Sequence, residues 1–236
     1  LTNWYAASKD IKKLEGKHQR FAYDYTFGVC KLAEGEFYYL APDKGRIDLE
    51  ATRIDPKQKT VSKVSAIDGK QLEFTVEADA PERWICDGKQ ILQIHDAQKE
   101  VMQFEIPKEG QGQNIMDGPL PFLFGMPPDK AKQRYKMQLV TSNATGYVLR
   151  VLPRWQQDAA NYKWAVVMLD AKTMLPIAVQ LIDPSETTET VYKFLNTEKN
   201  GSGGIARFLR VPGSDPFKPN LKGYKFMTAA ELENAK

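Results

Sequence analysis

The amino-terminal segment carries apolar residues at helical spacing. Trp4, Ala7, Ile11 and Leu14 recur every three or four residues, which places them on one face of a helix. Lysine and aspartate occupy the opposite side, and Gly16 supplies a stop signal. The pattern predicts an amphipathic helix that ends before Gly16.

The period of the pattern changes to two after this helix. Phe21, Tyr23, Tyr25 and Phe27 alternate with more polar residues, which is typical of a strand with one apolar aromatic face. About ten short strands follow with close connections. Asp-Gly pairs at 68–69 and 87–88 each separate two of these segments and predict β-hairpins. Because strands and helices do not alternate, we expect an antiparallel meander and reject a parallel α/β sheet.

The meander is interrupted between residues 118 and 135. The stretch 119–126 is apolar nearly throughout, and a short helical stretch from Asp129 to Tyr135 follows Pro128. Two interpretations stay open: these segments complete a solid core, or they close the mouth of a curved sheet over a cavity for an apolar ligand. In the second interpretation the lid residues are Leu120, Phe122, Leu123, Phe124 and Met126.

Composition and charge exclude several classes of protein. The 236 residues include 33 basic and 30 acidic side chains, and this near balance does not predict a nucleic-acid partner. No apolar run is long enough to span a membrane. Two histidines and two cysteines provide too few ligands for a metal site, and no catalytic or nucleotide-binding motif occurs, so we expect no cofactor and no enzyme activity. Cys30 and Cys86 fit either one disulfide or two free thiols.

A series of short motifs resembles one known family. Residues 35–42 have the pattern of a strand that ends in a proline turn, and residues 46–49 have the pattern of the strand that follows it. Residues 87–89 read Asp-Gly-Lys. The apolar segment 121–124 stands in mid-chain, and 208–213 has the form of a closing strand that ends in Pro-Gly. In this order the motifs resemble those of the LolA/LolB-type lipoprotein carriers of the Gram-negative envelope.

The resemblance implies a mainly β (α+β) fold. The sheet would be an incomplete, curved antiparallel β-barrel of about ten strands, with an N-terminal helix and a mid-chain lid helix. Residues 1–213 would form this single domain, residues 53–82 an inserted hairpin, and residues 214–236 an extension with a short helix. Since the chain starts at Leu1 instead of Met, we also expect that a signal peptide has been removed.

The family's function would then be a carrier of hydrophobic ligands in the periplasm or another exported location. Its partner would be a lipid or an acylated protein, and possible further partners are other envelope proteins. The alternative is a non-catalytic interaction module on the same fold with a filled barrel. Besides the lid, the residues expected to line the barrel or pack from the helix are Trp4, Ile11, Leu14, Phe21, Tyr23, Tyr25 and Phe27, with Arg46 as a contact for a head group.

Overall fold

The computed structural model of the chain describes residues 1–57, 59–106, 108, 122, 128–201 and 215–227. Within these ranges it has three helices: α1 (Thr2–Ser8), α2 (Pro128–Arg134) and α3 (Gln156–Ala159). The strands before α2 are β1 (Lys13–Asp24), β2 (Val29–Leu40), β3 (Lys44–Ala51), β4 (Thr60–Val64), β5 (Gln71–Ala78), β6 (Glu82–Cys86), β7 (Gln90–His95) and β8 (Glu100–Glu105). The later strands are β9 (Tyr135–Ser142), β10 (Gly146–Pro153), β11 (Trp164–Asp170), β12 (Pro176–Ile182), β13 (Thr188–Lys199) and β14 (Lys225–Met227).

All these strands belong to one open, curved sheet. Its main order is β14-β8-β7-β6-β3-β2-β1-β13-β12-β11-β10-β9, and β5 pairs with both β2 and β4. Neighbours are antiparallel except for the β14–β8 and β2–β5 pairs. Among the described strands no pairing joins β9 to β14, so the sheet is not closed. The predicted fold class is confirmed, with 14 strands instead of about ten.

The N-terminal helix is shorter than predicted. It ends at Ser8, and β1 begins at Lys13, so Leu14 lies on a strand. Leu14 pairs with Tyr39 of β2, and the side-chain oxygen of Asn200 accepts the backbone N–H of Lys13 at 3.1 Å. These pairings give the backbone a sheet partner, which outweighs the helical spacing of the side chains.

The aromatic strand also ends earlier than predicted. Asp24 closes β1, and its Oδ1 accepts the backbone N–H groups of Thr26 and Phe27, both at 2.9 Å. Gly28 then adopts a φ of 63°, which favours glycine and completes the turn into β2. Tyr25 and Phe27 therefore lie in the turn instead of on the strand.

Cross-strand pairing defines two faces of the sheet, because directly paired residues point to the same side. The inner face packs against Trp4 of α1 and against Phe122, and it carries the largest cluster of buried apolar residues. The outer face carries two smaller clusters. The β4–β5 hairpin contributes Phe74 to one, and the 215–227 segment contributes Phe217 to the other.

Residues 53–82, which are predicted from the sequence to be an inserted hairpin, contain the antiparallel strand pair β4 and β5. The predicted closing strand at 206–211 and the predicted last helix lie outside the described residues. Both cysteines are buried free thiols: Cys30 belongs to an outer cluster and Cys86 to the inner one. They lie on opposite faces of the sheet, which resolves the alternatives left open by their spacing.

Candidate ligand-binding site on the inner face

The centre of the inner face is a close aromatic contact. Phe37 of β2 is fully buried, and its ring meets the ring of Phe194 of β13 edge-on at 5.3 Å. A Cβ atom at Gly16 would lie 2.8 Å from the Phe37 ring, so β1 needs a glycine at the position that pairs with Phe37. The absence of a side chain at residue 16 lets the sheet bury this pair of rings.

The N-terminal segment covers one part of this face. Trp4, Ile11 and Leu14 are all buried and belong to the inner cluster, together with Tyr39 of β2. Of these three residues, only Trp4 lies on the helix, and Leu14 lies on β1. The structure brings these three predicted residues together.

A second cover comes from mid-chain. Phe122 is buried, and its ring centroid lies 5.6 Å from that of Tyr162 and 6.1 Å from that of Tyr135. Burial raises the pKa of Tyr135 to about 12 and also raises the pKa of Tyr162, so both rings stay neutral at physiological pH. The other four predicted lid residues, Leu120, Leu123, Phe124 and Met126, lie outside the described residues.

A buried ion pair stands beside this aromatic group. The guanidinium of Arg134 donates to the two carboxylate oxygens of Asp158 at 2.6 and 2.5 Å, and it also lies over the rings of Tyr135 and Trp155. The pair joins the end of α2 to α3. Sequence reasoning missed it, because an arginine and an aspartate 24 residues apart carry no signal that distinguishes them from surface charges.

The apolar character of the inner face continues beyond the buried cluster. Leu139 of β9 pairs with Leu149 of β10, which belongs to the cluster, and so points to the same side. Its side chain is nevertheless 54% exposed. Other inner-face residues that are only partly buried against the cluster are Trp84, Met137, Tyr147, Leu181 and Tyr192. The inner face therefore includes apolar surface that the described part of the chain does not cover completely.

One end of the same face is polar. His18 and Arg20 follow Gly16 at alternate positions of β1, and Arg20 lies 3.4 Å from the carboxylate of Asp79. His18 is only 1% exposed, and its Nε2 lies 2.9 Å from the backbone oxygen of Asp48. The inner face thus has an apolar stretch and a polar end.

The predicted aromatic wall lies elsewhere. Phe21 and Tyr23 occupy the other alternate positions of β1, so they face outward and pack with Phe74 of the inserted hairpin. Phe27 is 79% exposed in the turn. These residues do not line the inner face, because the hairpin supplies an apolar partner on the outer side of the strand.

Tyr25 and Arg46 also make structural contacts on the outer side. Tyr25 donates its hydroxyl hydrogen to Glu189 at 2.5 Å, and burial raises the pKa of Tyr25 to about 12. Arg46 donates to both carboxylate oxygens of Asp48 and, at 3.0 Å, to the backbone oxygen of Pro216. Arg46 therefore fastens the 215–227 segment to the sheet and does not face the inner cluster.

The outer face carries a groove of about 210 Å³ between its two covered clusters. The residues that line it include Glu15, Lys17, Glu36, Tyr38 and Glu198. Among the described residues no group of three or more histidine, cysteine or carboxylate side chains is arranged to hold a metal ion. The inner face is the more extensive candidate for a ligand.

Comparisons with known proteins give matches only among solved structures. No family model matches the sequence, and no curated protein matches it. An uncharacterised conserved protein from Thermus thermophilus aligns with a TM-score of 0.47 at 6% identity, over 96% of this chain and 98% of its own. A putative outer membrane lipoprotein-sorting protein domain from Vibrio parahaemolyticus aligns with a TM-score of 0.43 at 11% identity, over 89% of this chain and 94% of its own.

A LolA superfamily protein from Nitrosomonas europaea gives a TM-score of 0.35 at 6% identity, over 85% of this chain and 93% of its own. At these scores the likeness is one of general architecture, so no role of a residue is carried over. Within the described ranges no helix has the length and apolar character that a membrane crossing requires.

Proposed function

We propose that the protein is an exported, non-catalytic carrier that binds a lipid or a protein-linked acyl chain on the inner face of its sheet. The observation that carries this proposal is the incompletely covered apolar surface at Leu139 and its half-buried neighbours, which continues the buried cluster. Contiguous exposed apolar surface is typical of a binding site in a soluble protein.

The driving force would be the hydrophobic effect. Each CH₂ group moved from water to an apolar surface contributes about 0.8 kcal/mol, so a chain of ordinary length supplies ample free energy for binding. Release to a partner, such as another envelope protein, requires a second state in which the ligand is held less tightly, because differential affinity is what shifts such an equilibrium. Phe122 and the N-terminal segment are the described elements that cover parts of the face.

The test compares two exposed apolar residues on opposite faces. Leu139 points inward, whereas Met168 of β11, which is 41% exposed, lies between the inward-facing Val167 and Leu169 and therefore points outward. We expect Leu139→Asp to weaken binding of the fluorescent apolar probe N-phenyl-1-naphthylamine about tenfold, and Met168→Asp to leave it unchanged.

Native mass spectrometry of the purified wild-type chain adds an independent measurement. A copurified species with the mass of a lipid, reduced in Leu139→Asp and retained in Met168→Asp, is the expected result. Equal probe affinity in the two folded variants would overturn the assignment to the inner face. Failure of the wild type to bind either the probe or any lipid would overturn the carrier function and favour an interaction module on the same fold.

A further inference from the structure

The polar end of the inner face contains buried groups that lack partners. We name the polar cluster as His18, Arg20, Thr52, Asp79 and Tyr192. Within the described residues, four of its buried atoms have no hydrogen-bond partner: His18 Nδ1, Arg20 Nε, Thr52 Oγ1 and Asp79 Oδ2. Buried polar atoms are almost always hydrogen-bonded in folded proteins, and a concentration of exceptions indicates a site that a polar molecule completes.

Strand pairing brings the cluster together. Tyr192 of β13 pairs with Arg20 of β1, and Arg20 pairs with Ala33 of β2. Ala33 in turn pairs with Ala51, the residue immediately before Thr52. Asp79 lies close to these residues, since its backbone N–H donates to the backbone oxygen of Leu32 at 2.8 Å, and Leu32 immediately precedes Ala33. These pairings bring Tyr192, Arg20 and Asp79 to one end of the inner face, and Thr52 follows Ala51 at the same end of β3.

The cluster joins the apolar stretch directly. The ring of Tyr192 stacks on Phe194 with a centroid distance of 6.5 Å and an interplanar angle of 9°, and Phe194 contacts Phe37 at the centre of the apolar cluster. His18, which pairs with Phe194, extends the same surface from β1. One ligand can therefore contact both parts, with an apolar chain over the cluster and a polar group at its end.

The protonation of His18 determines what this histidine offers. The contact of Nε2 with the Asp48 carbonyl requires that Nε2 carry a hydrogen. Burial lowers the pKa of His18, so the ring is neutral and its free Nδ1 is an acceptor. Asp79 Oδ2 lies 3.4 Å from Nη1 of Arg20 without a hydrogen bond between them and has capacity left as a second acceptor, while Thr52 Oγ1 and Arg20 Nε supply donors.

The net charge around the polar cluster disfavours an anionic head group. Arg20 is paired with Asp79, and Glu82 faces the same side because it pairs with Leu49 of the inner cluster. Lys31, which pairs with the inward-facing Ala22, and its partner Glu77 add one charge of each sign on this side, so two positive charges stand against three negative ones beside a neutral histidine. A carboxylate or phosphate would meet net repulsion, whereas a neutral hydroxyl group donates to the free acceptors and accepts from the free donors.

We propose that the polar cluster binds the neutral, hydroxyl-bearing head group of the ligand, so that the protein prefers a monoacylglycerol-type lipid to a free fatty acid. This inference rests on the proposed function, since it places the acyl chain on the apolar stretch. It specifies the chemical class of the ligand, which the apolar surface alone does not select.

The experiment measures how well monooleoylglycerol and oleate displace N-phenyl-1-naphthylamine from the delipidated full chain at about pH 8, where oleate is ionised. In the wild type we expect monooleoylglycerol to bind about tenfold more tightly than oleate. Asp79→Asn removes the charge that neutralises Arg20, so it should shift the ratio of the two affinities toward oleate by about tenfold. Asp68→Asn, in the exposed turn of the inserted hairpin, is the matched control and should leave the ratio unchanged.

A second variant keeps the test independent of folding effects at Asp79. Thr52→Val preserves the shape of the side chain and removes only the hydroxyl, so it should weaken monooleoylglycerol several-fold more than oleate. Equal affinities in the wild type, or variants that weaken both lipids equally, would show that the cluster holds only water and would overturn the inference while leaving the carrier function standing. A wild type that binds the probe but neither lipid also overturns it, and a wild type that does not bind even the probe overturns the carrier function as well.

Discussion

The inner and outer faces of the sheet are both rich in apolar side chains, but the chain covers them differently. On the outer face, each described cluster has its own cover, with Phe74 from the inserted hairpin and Phe217 from the 215–227 segment. On the inner face, the apolar surface continues past its covers to the exposed Leu139. An aromatic strand face therefore does not by itself indicate a ligand site, because a segment of the same chain can be its partner.

The polar groups of the two faces show the same difference. On the outer face, Glu189 is fully buried and accepts from Tyr25 at 2.5 Å, Lys63 at 2.7 Å and Gln180 at 2.7 Å. Lys63 comes from β4, so this network fastens the inserted hairpin to the sheet. On the inner face, the polar cluster has unpartnered atoms among the described residues. A completed network stabilises the fold, whereas an uncompleted one is available to a ligand.

The largest expected effect comes from removing one buried phenylalanine on each face. Phe122 is 2% exposed and Phe74 is 1% exposed. Replacing either with alanine should lower the free energy of unfolding by about 3–5 kcal/mol, because both changes leave a cavity. Only Phe122→Ala should also change the affinity for the apolar probe, since Phe122 covers the inner face.

Denaturant unfolding and probe titration at low temperature measure the two quantities on the same samples. The claim that only the inner face binds the probe is contradicted if Phe74→Ala changes probe affinity as much as Phe122→Ala does. It is equally contradicted when Phe122→Ala leaves the affinity unchanged in a chain that is still folded.

Much of the architecture was predictable from the sequence, because it depends on local signals. The turns at Gly69 and Gly88 have φ values of 73° and 92°, and each joins the two strands that flank its Asp-Gly pair. Alternation correctly placed Phe21 and Tyr23 on one face of a strand. Alternation could not indicate which face of the strand is inside, because the side that is covered depends on a hairpin about 50 residues away in the chain.

The candidate site was less predictable for the same reason. Arg20 is one of the polar residues that alternate with the aromatic ones in the sequence, yet it lies on the inner face with His18, which pairs with Phe194. The Arg134–Asp158 pair depends on the positions of two short helices, which no periodic pattern specifies. Long-range packing decides these contacts, whereas turn chemistry and alternation act over a few residues.

A smaller effect tests whether Tyr25 belongs to the hydrogen-bond network that holds the hairpin against the outer face. Tyr25→Phe removes one hydrogen bond to the buried carboxylate of Glu189, and we expect a loss of about 1.5–3 kcal/mol in the free energy of unfolding. Probe affinity should stay unchanged. Phe27→Ala, in the same turn but exposed, is the control and should be close to neutral. A weaker affinity for the probe in Tyr25→Phe would instead support the prediction from the sequence that Tyr25 lines the ligand site.

The smallest effect concerns the pH dependence of the inner face. Burial is the main cause that lowers the pKa of His18 below its ordinary value of 6.5, against the opposing influence of the hydrogen bond with Asp48. Because the unfolded chain binds this proton more readily than the folded one, the stability due to neutral His18 is present above about pH 6.5 and is lost as the pH falls toward the folded-state pKa.

The measurement is the free energy of unfolding between about pH 7.5 and about pH 5.5, a window in which histidine is the main side chain that titrates. The wild type should lose more stability across this window than His18→Gln, which has no ring to protonate. Identical slopes in the two proteins would mean that His18 accepts a proton in the folded state without cost. His18 Nδ1 would then lose its role as an acceptor below about pH 6.5, where the ring is protonated, and would keep that role at about pH 8.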